Sequence, residues 1–176
     1  ILPLGSPAVP NLAAAAAQID WSVSPWLMPL SAGDILAPDA VAAYRVAART
    51  HAPIIYADDD ILDVRGRRVA PHFKPSWNAE LFRHFDYLTG ACIVRIDANQ
   101  LAHLREADWA SELVAIAAGE GTPLRLPYVL HHRRERPAPQ IPVVESVVAT
   151  ERSGVEEGPL PRVSVIVPTR NRVDLL

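Results

Sequence analysis

The residues with the clearest chemical potential are three consecutive aspartates, Asp58, Asp59 and Asp60, which directly follow the apolar run Pro53 to Ala57. This pattern is typical of a buried strand that delivers acidic groups to the rim of a sheet, where α/β proteins bind ligands. Adjacent carboxylates repel one another unless a cation, a basic group or water relieves them. Two interpretations follow. Asp58 and Asp60 bind a metal ion or ligand, or the triplet is a solvated acidic loop whose ion pairs order the nearby basic residues Arg65, Arg67 and Arg68.

The elements that position these carboxylates alternate between strands and helices along the chain. Apolar runs predict strands at Trp26 to Leu30, Pro53 to Ala57, Ala91 to Ile96 and Leu124 to Leu130. Capping residues and helical periodicity predict helices that begin near Asn11, Pro38, Asn78 and Asp108. Residues 66–81 are predicted to form an ordered surface loop. The alternation predicts a three-layer α/β domain with a mostly parallel sheet.

Composition and charge narrow the class of protein. Hydrophobic residues make up 49% of the 176 residues and the formal net charge is −3, so a core can form and nothing favours nucleic acid as a partner. No apolar run approaches the roughly 18 residues that a membrane-spanning helix needs, and no leader pattern precedes the first helix. The single cysteine, Cys92, excludes an internal disulfide and fits a reducing compartment. We expect Cys92 to be a buried packing residue, with a catalytic thiol as the alternative.

The composition changes after residue 134. Residues 135–161 are rich in proline and charge and are predicted to be a linker. Residues 162–176 contain the β-branched run Val163 to Val167, a polar turn and the start of a helix, which together are typical of the opening of a further α/β domain.

Two stretches of this chain carry a family resemblance. YADDDILDVRGRRVAPHFKPSWNAEL resembles the Y-S-D-E-D…D-G-R…P-x-F-K-P-x-W-N-x-x-L segment of many bacterial family 2 glycosyltransferases, which are nucleotide-sugar-dependent enzymes with the GT-A fold. VSVIVPTRNR is similar to the opening strand of the same family. Weaker matches agree with them in order and spacing, and these are NLAAAAA, LSAGDILAPDAV, READWASELVAIAAGEG and LPYVLHHRR.

The resemblance implies a domain organisation. Residues 1–134 match the C-terminal portion of a GT-A-like domain, residues 135–161 a linker, and residues 162–176 the first strand and loop of a second GT-A domain. A permuted arrangement is the alternative, in which Val163 to Val167 supplies the strand that the first domain lacks.

The family's chemistry is the transfer of a sugar from a nucleoside diphosphate to an acceptor hydroxyl with inversion. A carboxylate removes the acceptor proton, and Mg²⁺ or Mn²⁺ neutralises the leaving diphosphate. Asp108 matches the acidic acceptor-side position and is the candidate base, a role compatible with capping the helix that follows it.

The resemblance also suggests binding residues. The family's metal-binding turn falls on residues 31–34, where Ser31 and Gly33 replace both carboxylates of the D-x-D pair. Asp34 remains as a metal ligand or as a cap of the following turn. LPYVLHHRR resembles the motif that closes the family's domain. In it, His132 is a candidate metal ligand and Arg134 a candidate diphosphate contact, with a solvated basic strand end as the alternative. The loop that would receive the nucleotide corresponds to Pro168, Thr169, Arg170 and Asn171.

Three functions remain open at this point. The first is a piece of a glycosyltransferase that uses a nucleotide-sugar donor and a saccharide or other hydroxyl acceptor. The second is a degenerate GT-A module that acts as scaffold or acceptor-binding unit. The third is a metal-dependent phosphohydrolase that uses the aspartate triplet. We expect the isolated chain to be inactive as a transferase. We expect a cytoplasmic location, and peripheral association of the full-length protein with the inner face of the membrane.

Overall fold

A computed structural model of the chain describes residues 1–105 and 107–136, all of which fall within one structural unit, Ile1–Glu145. In chain order its elements are α1 (Leu12–Ala17), a 3₁₀ helix (Trp21–Val23), β1 (Ile35–Leu36), α2 (Ala40–Ala47), β2 (Ile54–Leu62), β3 (Arg68–His72), α3 (Ala79–His84), β4 (Cys92–Val94), α4 (Ala98–Ala102), α5 (Trp109–Gly119) and β5 (Leu124–Arg133). The linker and second-domain predictions for residues 137–176 lie outside the described residues.

The five strands form one open, mixed sheet around β2. One edge of β2 pairs with β5 in parallel, and β5 pairs in turn with β1 in antiparallel orientation. The other edge pairs with β4 at the start of β2 and with β3 near its end, both antiparallel. The predicted α/β class is confirmed, and its parallel character resides in the long β2–β5 pairing.

Helices cover both faces of the sheet. Along β2, Ile54 and Tyr56 belong to a core shared with α1, α3, α4 and α5, whereas Ile55 and Ala57 belong to a core shared with α2. This alternation is expected because successive strand residues point to opposite faces. Both faces are therefore buried, and the domain has the predicted three layers.

Several predicted helices begin where their capping residues indicated. The Asn11 side chain accepts a hydrogen bond from the Ala14 N–H at 2.8 Å, and the Asn78 side chain accepts one from the Leu81 N–H at 2.9 Å. The inward face of α2 consists of Ala40, Tyr44 and Ala47, whereas Val41 is exposed.

Two local predictions were wrong, and one helix was not predicted. The segment Trp26 to Leu30 is not a full strand, since only an isolated bridge joins Leu27 to Val94. Residues 66–81 contain the regular strand β3, which was predicted to be loop. Helix α4 was missed, although Asp97 and Gln100 form a reciprocal capping box at its start. Among the described residues, no helix has the length and apolar character needed to cross a membrane.

The two buried faces of β2 can be tested with neighbouring residues. Ile54→Ala and Ile55→Ala should each lower the free energy of unfolding by about 2–5 kcal/mol, because each removes buried methyl groups from a different core. Chemical denaturation measures this. The matched control is Val64→Ala at a fully exposed position, which should change stability by about 0.5 kcal/mol or less. A tolerated change at either isoleucine would contradict the three-layer arrangement.

Candidate site at the acidic end of the central strand

The aspartate triplet lies inside β2 and is buried. Asp58, Asp59 and Asp60 are 2%, 1% and 3% exposed, and the strand continues to Leu62. The predicted strand end at Ala57 and the solvated acidic loop were therefore both wrong. The physical reason is that basic side chains of neighbouring elements compensate each carboxylate, so the strand can carry three charges into the interior.

Asp58 fastens the segment after β3 and the start of β5 to the central strand. Its Oδ1 accepts a hydrogen bond from the Lys74 backbone N–H at 2.9 Å. The Arg125 Nη2 lies 3.1 Å from both Asp58 carboxylate oxygens. Both oxygens are thus engaged by groups from other elements, and each contact is charge-assisted on the carboxylate side.

Asp59 is the centre of a buried cationic cluster. The Lys74 ammonium lies 3.3 Å from Asp59 Oδ2 as an ion pair, Arg136 Nε donates to Oδ1 at 2.9 Å, and His72 Nδ1 is 3.6 Å from Oδ2. Burial raises the pKa of Asp59, but Lys74, Arg136 and His72 outweigh burial and hold that pKa below its usual value. Burial lowers the pKa of Lys74, and the adjacent Asp59 charge opposes this shift.

Asp60 completes the series with one partner from each neighbouring strand. Arg68 Nε of β3 lies 2.6 Å from Oδ2, and His132 Nδ1 of β5 lies 2.7 Å from Oδ1. Of the three arginines predicted to pair with the triplet, only Arg68 does so. Arg67 pairs with Asp63 at 2.7 Å, and the Arg65 backbone N–H donates to the same aspartate.

The basic partners were largely missed by sequence reasoning. The Lys74 ammonium is buried against Asp59. Arg125, Arg136 and His131 were not singled out at all. The available signal was that Arg125 lies in the predicted strand Leu124 to Leu130 and that the basic residues 131–134 follow it directly. That strand is predicted in the same sheet as the strand that precedes the triplet.

His131 is a buried neutral histidine beside this cluster. It is 1% exposed, and its Nε2 shares a hydrogen bond with the Tyr44 hydroxyl at 2.7 Å. Burial lowers the pKa of His131 to about 3, and the nearby Lys74 charge acts in the same direction. The ring is therefore uncharged in the folded protein at neutral pH.

The turn at residues 31–34 is docked onto the end of β5. Asp34 Oδ1 accepts the Arg134 backbone N–H at 2.9 Å, and Asp34 Oδ2 is 3.9 Å from Arg133 Nε. Arg134 Nε donates to the Gly33 carbonyl at 3.2 Å. The Asp34 side chain is only 2% exposed. Asp34 and Arg134 are thus brought together, and in this structure they bind each other.

Asp108 lies at the start of α5. It is exposed and occupies the N-cap position, but its side chain makes no capping hydrogen bond. The predicted N-cap position of Asp108 is therefore confirmed, but the capping hydrogen bond is not formed. The predicted nucleotide contacts Pro168, Thr169, Arg170 and Asn171 lie outside the described residues.

The four predicted metal ligands do not converge. Asp60 and His132 contact each other, whereas Asp58 and Asp34 bind basic groups elsewhere. Within residues 1–105 and 107–136, no group of three or more His, Cys, Asp or Glu is arranged to hold a metal ion. Mg²⁺ and Mn²⁺ favour several oxygen ligands, and here at least one oxygen of Asp34, Asp58 and Asp60 already accepts a hydrogen bond from a protein N–H group. Metal binding by these residues stays a prediction.

Comparison with curated proteins gives two distant relatives. The O-antigen biosynthesis protein RfbC of Myxococcus xanthus is 28% identical over 182 residues, which cover 84% of this chain and 14% of that protein. This chain is similar to an O-antigen biosynthesis protein. The uncharacterized protein y4gI of Sinorhizobium fredii (strain NBRC 101917 / NGR234) is 26% identical over 186 residues, which cover 81% of this chain and 20% of that protein.

The similarity to RfbC and y4gI covers most of this chain but only a part of each relative. The chain spans only a small part of either relative's length, so the activity of a whole relative cannot be read from this segment alone. No family model matches the chain, and no solved structure matches it.

The buried Asp59–Lys74 pair can be tested by a double-mutant cycle. Lys74→Met should destabilise the domain by about 3–5 kcal/mol, because it leaves a buried carboxylate with less compensation. Lys74→Met combined with Asp59→Asn should cost less than the sum of the two single changes. Urea denaturation measures all three. The control Arg83→Met disrupts an exposed pair with Glu80 and should cost about 0.5 kcal/mol or less. Additive effects at Asp59 and Lys74 would contradict the ion pair.

The buried histidine predicts a pH dependence of stability. The folded pKa of His131, about 3, lies below the unfolded value of about 6.5, so the unfolded state binds more protons between these values. Stability should therefore fall as pH drops from about 6.5 to 4.5, before Asp59 protonates. Denaturation across this window should show a flatter slope for His131→Phe. Tyr44→Phe should keep the slope, since burial remains. An unchanged slope in His131→Phe would contradict this assignment.

Proposed function

We propose that this chain is part of a sugar-nucleotide glycosyltransferase in glycan biosynthesis, and that residues 1–134 serve in it as a scaffold or acceptor-binding module. The quoted family motifs and the similarity to an O-antigen biosynthesis protein support the sugar-transfer context. The three-layer α/β fold is compatible with a GT-A-like domain. The observation that carries the non-catalytic role is the state of the turn at residues 31–34.

That turn has a single carboxylate, and protein groups already contact it. Ser31 and Gly33 supply no carboxylate, and a hard divalent cation needs anionic oxygen ligands. The remaining Asp34 carboxylate is engaged by Arg134 and lies near Arg133. A metal–diphosphate unit at this turn would have to displace these contacts and then bind through a single carboxylate.

The neighbouring triplet does not replace the missing ligands. A diphosphate is anionic, so Asp58, Asp59 and Asp60 would repel it without a cation between them. The cations that neutralise these aspartates are side chains of the protein itself. The resulting ion pairs hold β3, β5 and the segment around Lys74 in place. This arrangement favours a structural role for the triplet.

A catalytic role for this module is the second candidate, and the position of Asp108 favours it. The Asp108 carboxylate is exposed and makes no capping bond, so it is accessible to an acceptor hydroxyl as a general base. In this candidate, Arg134 and Pro168 to Asn171 would contact the nucleotide sugar. Bound Mg²⁺ or Mn²⁺ would supply neutralisation of the leaving diphosphate.

The phosphohydrolase alternative gains no support from the geometry. It requires the triplet to hold a catalytic metal, and each of the three carboxylates is paired with protein cations. We therefore do not propose it.

The proposal predicts weak or absent metal-dependent nucleotide binding. In calorimetry of the purified chain with UDP and Mn²⁺, wild type and Asp34→Asn should behave alike, and nucleotide sugars should not be turned over. Tight binding that depends on Asp34 would contradict the scaffold role. Turnover that is abolished by Asp108→Asn would establish the catalytic candidate instead.

A restored turn provides the matched variants for the calorimetry. Gly33 has φ of +90°, and an added Cβ would lie 3.0 Å from Arg134 Cγ. Gly33→Asp should therefore cost about 1–3 kcal/mol in stability, whereas Ser31→Asp at an exposed position should cost little. Because the combined variant restores both carboxylates of the pair, it should bind Mn²⁺ more tightly than wild type, and equal binding would contradict missing ligands as the cause of weak binding.

A further inference from the structure

A polar pocket lies at the opposite end of the sheet from the aspartate triplet. Its volume is about 320 Å³, within the size range of small-molecule sites. Arg95 of its wall follows β4, and its backbone N–H donates to the Pro53 carbonyl just before β2 begins. From there to Asp60 the strand runs about 20 Å. The pocket is therefore separate from the site described above.

The pocket wall holds two exposed carboxylates and an amide that are linked by hydrogen bonds. Gln100 and Asp97 exchange hydrogen bonds with each other's backbone N–H, each at 2.8 Å. The Gln100 Nε2 donates to Glu120 Oε1 at 2.7 Å. Among the described residues, the second oxygen of each carboxylate makes no hydrogen bond. These groups are thus ordered without a ligand, and each retains acceptor capacity.

A cationic and an aromatic side chain complete the wall. The Arg95 guanidinium lies 4.5 Å from the centre of the Trp26 ring and 3.5 Å from the Ala48 carbonyl. Its buried Nε has no hydrogen-bond partner among the described residues. Trp21 also lines the pocket, and its Nε1 donates to the Ala16 carbonyl at 2.8 Å, which fixes the indole ring.

The mixture of charges limits what this pocket can bind. An anion would meet Asp97 and Glu120, and a cation would meet Arg95. A purely apolar ligand would leave the polar groups desolvated without partners. A neutral molecule with many hydroxyl groups satisfies all of them, because hydroxyls donate to carboxylates and accept from a guanidinium. A sugar ring also presents an apolar face that can pack on an indole ring.

We propose that the pocket formed by Trp21, Arg95, Asp97, Gln100 and Glu120 binds a neutral saccharide unit. Binding here requires neither nucleotide nor metal, so it does not depend on whether this module transfers sugar. In a glycan-building protein, such a site would hold a sugar unit about 20 Å away from the acidic end of β2.

Saturation-transfer NMR on the 176-residue chain tests this with glucose, galactose, mannose and N-acetylglucosamine as probes, each titrated to tens of millimolar. We expect saturation transfer to at least one sugar, and an affinity at least about tenfold weaker in Glu120→Ala. Glu80→Ala is the matched control, because Glu80 is another exposed helix-associated carboxylate and does not line the pocket. Circular dichroism verifies that each variant is folded.

A second variant separates the pocket from general effects on the fold. Trp21→Phe keeps an aromatic ring but removes the bond to Ala16, and we expect it to weaken the same sugar in a folded chain. Absence of transfer to all four sugars would overturn the proposal, as would equal binding by wild type and Glu120→Ala. The NMR test contains no nucleotide, so a negative result does not bear on the proposed glycosyltransferase context. Absence of turnover, in turn, does not bear on sugar binding in this pocket.

Discussion

The domain depends on the compensation of three adjacent carboxylates that are buried in its central strand. An ionised carboxylate in the interior is costly unless it is paired and hydrogen-bonded. β2 meets this constraint with partners from three directions, since Arg125 and His132 come from β5, Arg68 from β3, and Lys74 from the following segment. The charges therefore fix which elements flank β2. A one-residue slip of β2 would also exchange its two faces and separate the carboxylates from their partners.

The hydrophobic pattern and the capping residues predicted those parts of the fold whose secondary structure is determined by local sequence. The apolar run before Asp58 predicted the buried start of β2, and Asn11 and Asn78 predicted helix starts, because capping acts within one turn. The end of β2 could not be predicted in this way. A run of carboxylates interrupts the hydrophobic pattern, and the partner Arg125 lies 67 residues away in the chain. Only the three-dimensional pairing shows that the strand continues.

The candidate site likewise has features that the sequence predicts and features that depend on residues distant in the chain. The absence of carboxylates at Ser31 and Gly33 is visible in the sequence, so a weakened metal turn could be predicted from it. The fate of Asp34 could not, because Arg134 lies 100 residues further along the chain. The family resemblance suggested separate roles for Asp34 and Arg134 toward metal and diphosphate. In the folded domain the Asp34 carboxylate accepts the Arg134 backbone N–H, so a ligand that uses Asp34 Oδ1 would have to displace that bond.

The two ends of β2 thus differ in the contacts that a ligand would have to displace. Ligands of open α/β sheets usually bind at the carboxyl ends of the strands, but in this domain that end is closed by ion pairs whose components are all protein side chains. A ligand there competes with Lys74 and Arg136 for Asp59, and the competing groups are already positioned and desolvated. At the opposite end, the polar groups around Glu120 are ordered and still have acceptors available. Preorganised groups lose little entropy on binding, so the open pocket is the end of this sheet at which a new ligand meets the smaller energetic barrier.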